Sequence, residues 1–379
     1  MEKHRISFGD PQLSSRAKAN LQAVIESGHL SEGPMVKKFE EAWGKKFGYP
    51  YNIAVSNGTN ADIAACLSLY EVGAKRGDEI IAPALAFAAV GNSIIAAGFK
   101  PVFVDIKRET LNINPKTIEE KITKNTIAIM AVHTMGKPCD MEKIKEITQK
   151  HSLYLIEDSC EAHGAKYKAQ VIGSFGDIAT FSGYAAHLVW MGGEGGMVST
   201  NITGLEPILR SIRSHGRKPG QKFFNHIRLG LNLRMQDFNA AIGLAELEDF
   251  DQIFAKRKEN FYYLTEKTKD LEEFAHFLKE EPYELIAPHA FSLVIKNPKI
   301  TGSDITGYLE EKGIEVKRNF GSMPTQHEAF SHLGYRKGIF PEAEYVGDHG
   351  IHFGIHQNLN QDDLDYISLA LHDFFHSSK

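Results

Sequence analysis

Residues 126–158, TIAIMAVHTMGKPCDMEKIKEITQKHSLYLIED, decide the fold. Two short apolar runs, TIAIMAVH (126–133) and LYLIED (153–158), flank a segment of helical character. Strand, helix, strand at that spacing reads as a βαβ unit with parallel strands covered on both faces. Working outward, the same grammar recurs in YNIAVS (51–56), DEIIAPA (78–84), KPVFVDI (100–106) and IATFSG (178–183), each bounded by turn or helix signals. The class is therefore α/β with a mostly parallel sheet, and ligands of such sheets sit at the carboxyl ends of the strands. From about residue 246 the pattern changes to a long charged helix, EDFDQIFAKRKENFYYLTEKTKDLEEF, and then to a mixture of β and α. The expected organisation is a large domain over 1–245 and, over 246–379, a linker helix with a smaller C-terminal α+β domain.

Composition narrows the function classes. Of 379 residues, 42% are hydrophobic and 24% charged, ordinary for a globular protein. The formal charge of -5 offers no basic footprint for nucleic acid. Cys66, Cys139 and Cys160 form neither a disulfide framework nor a zinc or iron–sulfur ligand set, which points to a reducing, cytoplasmic setting. No stretch approaches 18 consecutive apolar residues and the N-terminus lacks an apolar leader core, so neither membrane spanning nor secretion is expected.

Three places could carry chemistry. Ser56-Asn57-Gly58-Thr59-Asn60 follows a strand and opens a helix, so its free N–H groups and the positive end of the dipole suit a phosphate; an ordinary N-cap is the plain alternative. Glu157-Asp158 ends an apolar strand, where a carboxylate can hold a protonated heteroaromatic nitrogen or merely cap the next helix. In FSGYAAHLVWMGGEGG (181–196), Ser182 and His187 stand near glycines that lack phosphate-loop spacing and instead suit a backbone passing close to something bulky. A lone loop histidine is more often structural than catalytic. His349, His352 and His356 resemble a metal spacing, but IHFGIH reads as an alternating strand with the histidines at its polar positions, so no metal is expected.

Taken in order, these elements resemble the DegT/StrS family of pyridoxal-phosphate sugar aminotransferases, a branch of the fold-type I aminotransferases. The similarity runs through LSEGPMVKKFEEAW (30–43), AVSNGTNAD (54–62), GDEIIAPALAF (77–87), HTMGKPCDM (133–141), LIEDSCEAHGAKY (155–167), GSFGDIATFS (173–182), GEGGMVST (193–200), RSHGR (213–217) and GLNLRMQDFNAAIGLAEL (230–247). The resemblance implies that Gly58, Thr59 and Ser182 hold the cofactor phosphate, with Asn232 reaching in from the second subunit of a homodimer. It also implies that Asp158 pairs with the pyridinium nitrogen, Phe87 stacks on the ring, and Glu161 stands near the ring hydroxyl. The segment 217–230 matches the family's sugar-binding loop, where Arg217, Lys222 and Arg228 could meet a pyrophosphate or form a solvated basic loop.

One position departs from the pattern. Where the family has S-F-Y-P-G-K-N, with the lysine that forms the Schiff base, this chain has Ser182-Gly183-Tyr184-Ala185-Ala186-His187-Leu188. Such a replacement resembles the nucleotide-sugar 3-dehydratase branch, with its Y-P-A-H-H-I-T-M-G-E-G-G. Tyr184, Ala186, His187, Met191 and Glu194-Gly195-Gly196 are shared; one extra residue before the glutamate, and Ala185, Leu188 and Trp190, are not. The resemblance implies a PLP/PMP enzyme that removes the C3 hydroxyl of a nucleotide-linked 4-keto-6-deoxyhexose, with His187 as the base and L-glutamate restoring PMP. The iron–sulfur subtype is disfavoured by the cysteine spacing. Two other readings stay open: a sugar aminotransferase working through His187, and a catalytically silent cofactor-binding protein.

Overall fold

A computed structural model describes residues 5–221 and 223–377. All six strands expected from the sequence form: β1 (Tyr51–Val55), β2 (Glu79–Pro83), β3 (Lys100–Val104), β4 (Thr126–Val132), β5 (Tyr154–Asp158) and β6 (Ile178–Ser182). A seventh, β7 (Gly196–Thr200), completes a sheet in the order β1-β7-β6-β5-β4-β2-β3. The neighbours from β6 through β3 pair in parallel, while β7 is antiparallel to both β1 and β6. Because β7 reverses direction between them, β1 runs the same way as β6, and the carboxyl ends of six strands share one edge. Apolar cores cover both faces of the sheet, with Ile80, Met130 and Ile156 in one and Ile81, Ile129 and Leu155 in the other. That alternation of neighbours along β2, β4 and β5 is why these strands read as continuous apolar runs.

A 31-residue helix, Asp237–Lys267, leaves this layer and packs on the helices Ser15–Ser27 and Pro34–Phe47. Asp237 Oδ1 accepts the Gly33 and Val36 N–H groups, both at 2.9 Å, and so caps the second of those helices. The charged helix anticipated from about residue 246 thus begins nine residues earlier, and the 245/246 boundary falls inside it. The apolar spacing of DFNAAIGLAEL already carries the helical period.

Beyond the helix lies an antiparallel sheet in the order β8-β9-β11-β10, from β8 (Ala275–Phe277), β9 (Ala290–Ile295), β10 (Val316–Arg318) and β11 (Gly350–Gly354). It has its own core around Leu293, Ile351 and Phe353. The expected strand at IHFGIH forms, and all five residues of β11 are buried, so His352 at its polar position is covered as well. The N-terminal segment docks on this sheet, with Ile6 N–H donating to Gly313 at 3.0 Å and Glu315 N–H to Ile6 at 2.8 Å. Among the described residues, no helix is long and apolar enough to cross a membrane.

Candidate active site

Ordered strands end at one edge, and the chain opens there into a cavity of about 710 Å³. Its floor is built from the first residues past β1, β4, β5 and β6. After β1, Asn57 caps the helix Gly58–Ser68 by accepting Asn60 N–H at 2.9 Å. Gly58 and Thr59, as the first two helical residues, have N–H groups with no carbonyl inside the helix to bond, and the helix dipole adds positive potential there. A Cβ at Gly58 would lie 2.6 Å from Ser182 Cβ and 3.0 Å from its Oγ, so only glycine lets the helix end close on that hydroxyl. The result is an anion cradle of two N–H groups and one O–H.

At the end of β5, the two carboxylates diverge as strand alternation requires. Glu157 turns away into the structure, accepting Gly173 N–H at 2.8 Å and lying 3.3 Å from His133 Nε2. Asp158 faces the cavity and accepts Cys160 N–H at 3.1 Å. Burial pushes the Asp158 carboxyl up, with Cys160 hydrogen bonding and His133 opposing. Asp62, one turn into the helix, is pushed well up by burial and by the charge of Asp158, although Thr180 Oγ1 donates to it at 2.6 Å. Two neighbouring buried carboxyls facing one cavity lack a cation, and a protonated ring nitrogen would relieve both.

The loop after β6 carries His187. Gly183 N–H bonds Gly195 at 2.8 Å and Met191 N–H bonds Gly183 at 2.9 Å. A Cβ at Gly183 or Gly195 would lie 2.3 or 2.5 Å from Met191 atoms, which identifies the bulky neighbour the glycines accommodate. The buried Arg257 guanidinium donates to Ala186 at 3.1 Å and fixes the residue before the histidine. His187 Nδ1 lies 2.8 Å from the Ser182 carbonyl; only the protonated Nδ1 can donate there, which leaves Nε2 with its lone pair. Burial holds His187 down at about 4, with the Ser182 bond opposing and Arg257 and Lys317 reinforcing, so the ring is neutral at pH 7.

The opposite wall comes from distant sequence. Phe8, His289, Lys317, Phe320 and His352 line it, and the sequence had singled out only His352, in a rejected metal spacing. His289 Nε2 lies 3.4 Å from Glu161 Oε1, and the two rings of His289 and His187 stand 5.0 Å apart edge to face. Glu161 accepts Met135 N–H at 2.6 Å, and burial raises its carboxyl to about 8. His349 Nδ1 goes instead to the Ile300 carbonyl and His352 Nδ1 to Asn319 Oδ1, at 2.8 and 3.0 Å, so these histidines serve different neighbours.

Of the residues expected to act together, Gly58, Thr59, Phe87, Asp158, Glu161, Ser182 and His187 all line this one cavity. Asn232, Arg217 and Arg228 do not line it. Asn232 bridges Ser214, Arg217 lies 4.1 Å over the Phe224 ring, and Arg228 pairs with Glu71 at 3.0 Å. Lys222 lies outside the described residues. His289 had no signal in the sequence, whereas Asp62 sits within the motif AVSNGTNAD and was open to notice.

The chain is similar to known proteins along nearly its whole length. GDP-perosamine synthase of Escherichia coli O157:H7 is 32% identical over 369 residues, covering 96% of this chain and 97% of that protein. Among solved structures, the Helicobacter pylori aminotransferase PseC superposes with a TM-score of 0.90 at 25% identity, covering 99% of this chain and 100% of that one. The E. coli GDP-4-keto-6-deoxy-D-mannose-3-dehydratase with bound hydrated PLP superposes at 0.89 and 26%, covering 98% and 100%. The fold is the fold-type I aminotransferase fold. The family model described as the DegT/DnrJ/EryC1/StrS aminotransferase family matches residues 11–372, and the chain belongs to that family.

Proposed function

We propose that this chain uses pyridoxal phosphate, in its PLP and PMP forms, to remove the C3 hydroxyl of a nucleotide-linked 4-keto-6-deoxyhexose. The observation that carries this reading is His187, which takes the place of the family's lysine, lines the cavity and keeps an unprotonated Nε2. When bound, the cofactor supplies an electron sink and an exchangeable amine. Gly58 and Thr59 N–H with the Ser182 hydroxyl bind its phosphate, and Asp158 pairs with the ring nitrogen. Phe87 covers the ring, and Glu161 stands at its hydroxyl edge. Imidazole has no primary amine to condense with an aldehyde, so His187 moves protons and forms no tether. Being neutral at pH 7, it is ready to accept one at Nε2 and return it later. L-Glutamate is the amine source in this reading.

A second reading, amino transfer to the same class of sugar, is favoured by the relative named GDP-perosamine synthase. The same groups bind the cofactor in both, and the difference is whether the sugar keeps its C3 hydroxyl. Incubating the protein with PLP, excess glutamate and a panel of nucleotide-linked 4-keto-6-deoxyhexoses, then weighing the products, separates them. A 3-deoxy product with released ammonia supports elimination; an amino sugar that retains the hydroxyl replaces that reading with transfer.

The working form in this reading is a homodimer. The segment bearing Asn232 also bears Phe223 and Phe224, 86% and 78% exposed in the single chain, and the half-exposed Ile227, Leu229 and Leu231. A second copy covering this apolar segment would bring Asn232 and the basic residues around it to the neighbouring cavity. Light scattering at micromolar concentration should return twice the chain mass.

A further inference from the structure

The cavity wall contributed by the C-terminal sheet contains one ordered polar row. Ser292 on β9 pairs in register with His352 on β11, which pairs in register with Lys317 on β10. Residues directly opposite across antiparallel strands point to the same face, and here both His352 and Lys317 line the cavity. Asn319 organises the row: its Oδ1 lies 3.0 Å from His352 Nδ1 and its Nδ2 donates to Ser292 Oγ at 3.0 Å. The His352 proton is thereby committed to Asn319, and burial with the nearby Lys317 charge holds that ring down at about 3, so it carries no positive charge.

Lys317 is different. Its ammonium lies 4.1 Å over the centroid of Phe8. Phe8 is a built platform. Its N–H donates to Glu315 Oε2 at 2.7 Å, and a Cβ at Gly354 would lie 1.9 Å from its carbonyl oxygen, so the arm lies directly against a glycine of β11. The other ionisable side chains lining the cavity are the carboxyls Asp62, Asp158, Glu161 and Glu194, Cys160, Tyr184 and the histidines. Among the described lining residues, Lys317 is the single lysine or arginine.

We propose that Lys317 is the contact for the α-carboxylate of the amino donor. The role rests on the cofactor-dependent reading above but is common to its two outcomes, since each needs the donor. Lys317 lines the same cavity as His187 and pairs in register with His352, another residue of that lining. In an amino acid the carboxylate is one bond from the carbon whose proton His187 must move. In a nucleotide-linked hexose the phosphates lie several bonds from the keto carbon, so the carboxylate fits this position better. An ammonium resting on an aromatic face gives up little when it moves onto an anion, and the charge-assisted bond it gains is the stronger one.

The test uses the PLP-loaded protein and its Lys317→Met and Lys317→Arg variants. Calorimetry with glutarate, a dicarboxylate that has no amine and cannot react, reads binding alone. Absorbance of the cofactor on adding glutamate reads the donor half-reaction. Lys317→Met should weaken glutarate and raise the glutamate requirement by roughly 10- to 100-fold, with the nucleotide-sugar KM unchanged. Lys317→Arg should recover to within a few-fold of the wild type. Equal glutarate affinity in Lys317→Met overturns the assignment, as does a rise in nucleotide-sugar KM with glutamate unaffected, which would make the ligand a phosphate. A wild-type cofactor spectrum that glutamate leaves unchanged overturns the donor half-reaction itself, and this role with it.

Discussion

The floor and the far wall of the cavity are built by different rules. Every floor group lies just past the end of a strand or at the start of the helix that follows: Gly58 and Thr59 after β1, Asp158 and Glu161 at and after β5, Ser182 and His187 at and after β6. Short βα connections fix such groups as soon as the sheet forms. The wall instead joins Phe8 to His289, Lys317 and His352, which lie more than 280 residues further along the chain and are held by long-range backbone pairings. Ile6 bonds Gly313, and Ala287 N–H bonds Gly136 at 3.0 Å two residues before His289. The floor forms with the large sheet, whereas the wall exists only when the N-terminal arm and the C-terminal sheet are docked.

Substitutions on each side sharpen this contrast. After loss of the His187 base, the largest effect belongs to the floor's carboxylate: Asp158→Asn removes the charge that would face the ring nitrogen and should lower turnover of the sugar by roughly 10²–10³-fold. Unchanged turnover would remove Asp158 from the mechanism. Next comes the hinge of the wall. Gly136 has φ +79°, and a Cβ there would lie 2.0 Å from the Ala287 carbonyl oxygen. Gly136→Ala should cost about 2 kcal/mol in denaturant unfolding, and it should impair donor and sugar use more than cofactor binding. An equal loss of cofactor affinity would show that floor and wall are one unit.

The smallest effect is in titration. In the cofactor-free protein, histidine NMR should find His187 neutral until the pH approaches about 4. The unfolded chain takes up that proton near 6.5, so this residue's contribution to stability falls as the pH drops from about 6.5 towards 4. Protonation of His187 near 6.5 would contradict its placement in a desolvated cavity floor.

The same contrast explains what was legible. Apolar runs at βαβ spacing yielded six strands of the large sheet, and the motifs at their ends led to seven residues that share the cavity. β7 escaped because GMVST follows glycines and has few apolar residues, and its antiparallel course depends on β1, well over a hundred residues away. His289 left no trace because its place depends on the backbone pairing of Ala287 with Gly136, which periodicity does not encode. His352 was visible as a histidine at a polar strand position, but its burial was not, since covering of both faces of β11 comes from packing by the N-terminal arm and the C-terminal core.

The central claim is that His187 is the base that replaces the family's lysine. His187→Asn keeps a polar side chain of similar reach but cannot accept a proton at neutral pH. The decisive measurement is the yield of the dehydrated sugar from matched wild-type and His187→Asn samples, each saturated with PLP and given glutamate and the best nucleotide-linked 4-keto-6-deoxyhexose. The account predicts that the variant retains the cofactor and loses product formation by roughly 10²–10⁴-fold; dehydration at the wild-type rate would contradict it.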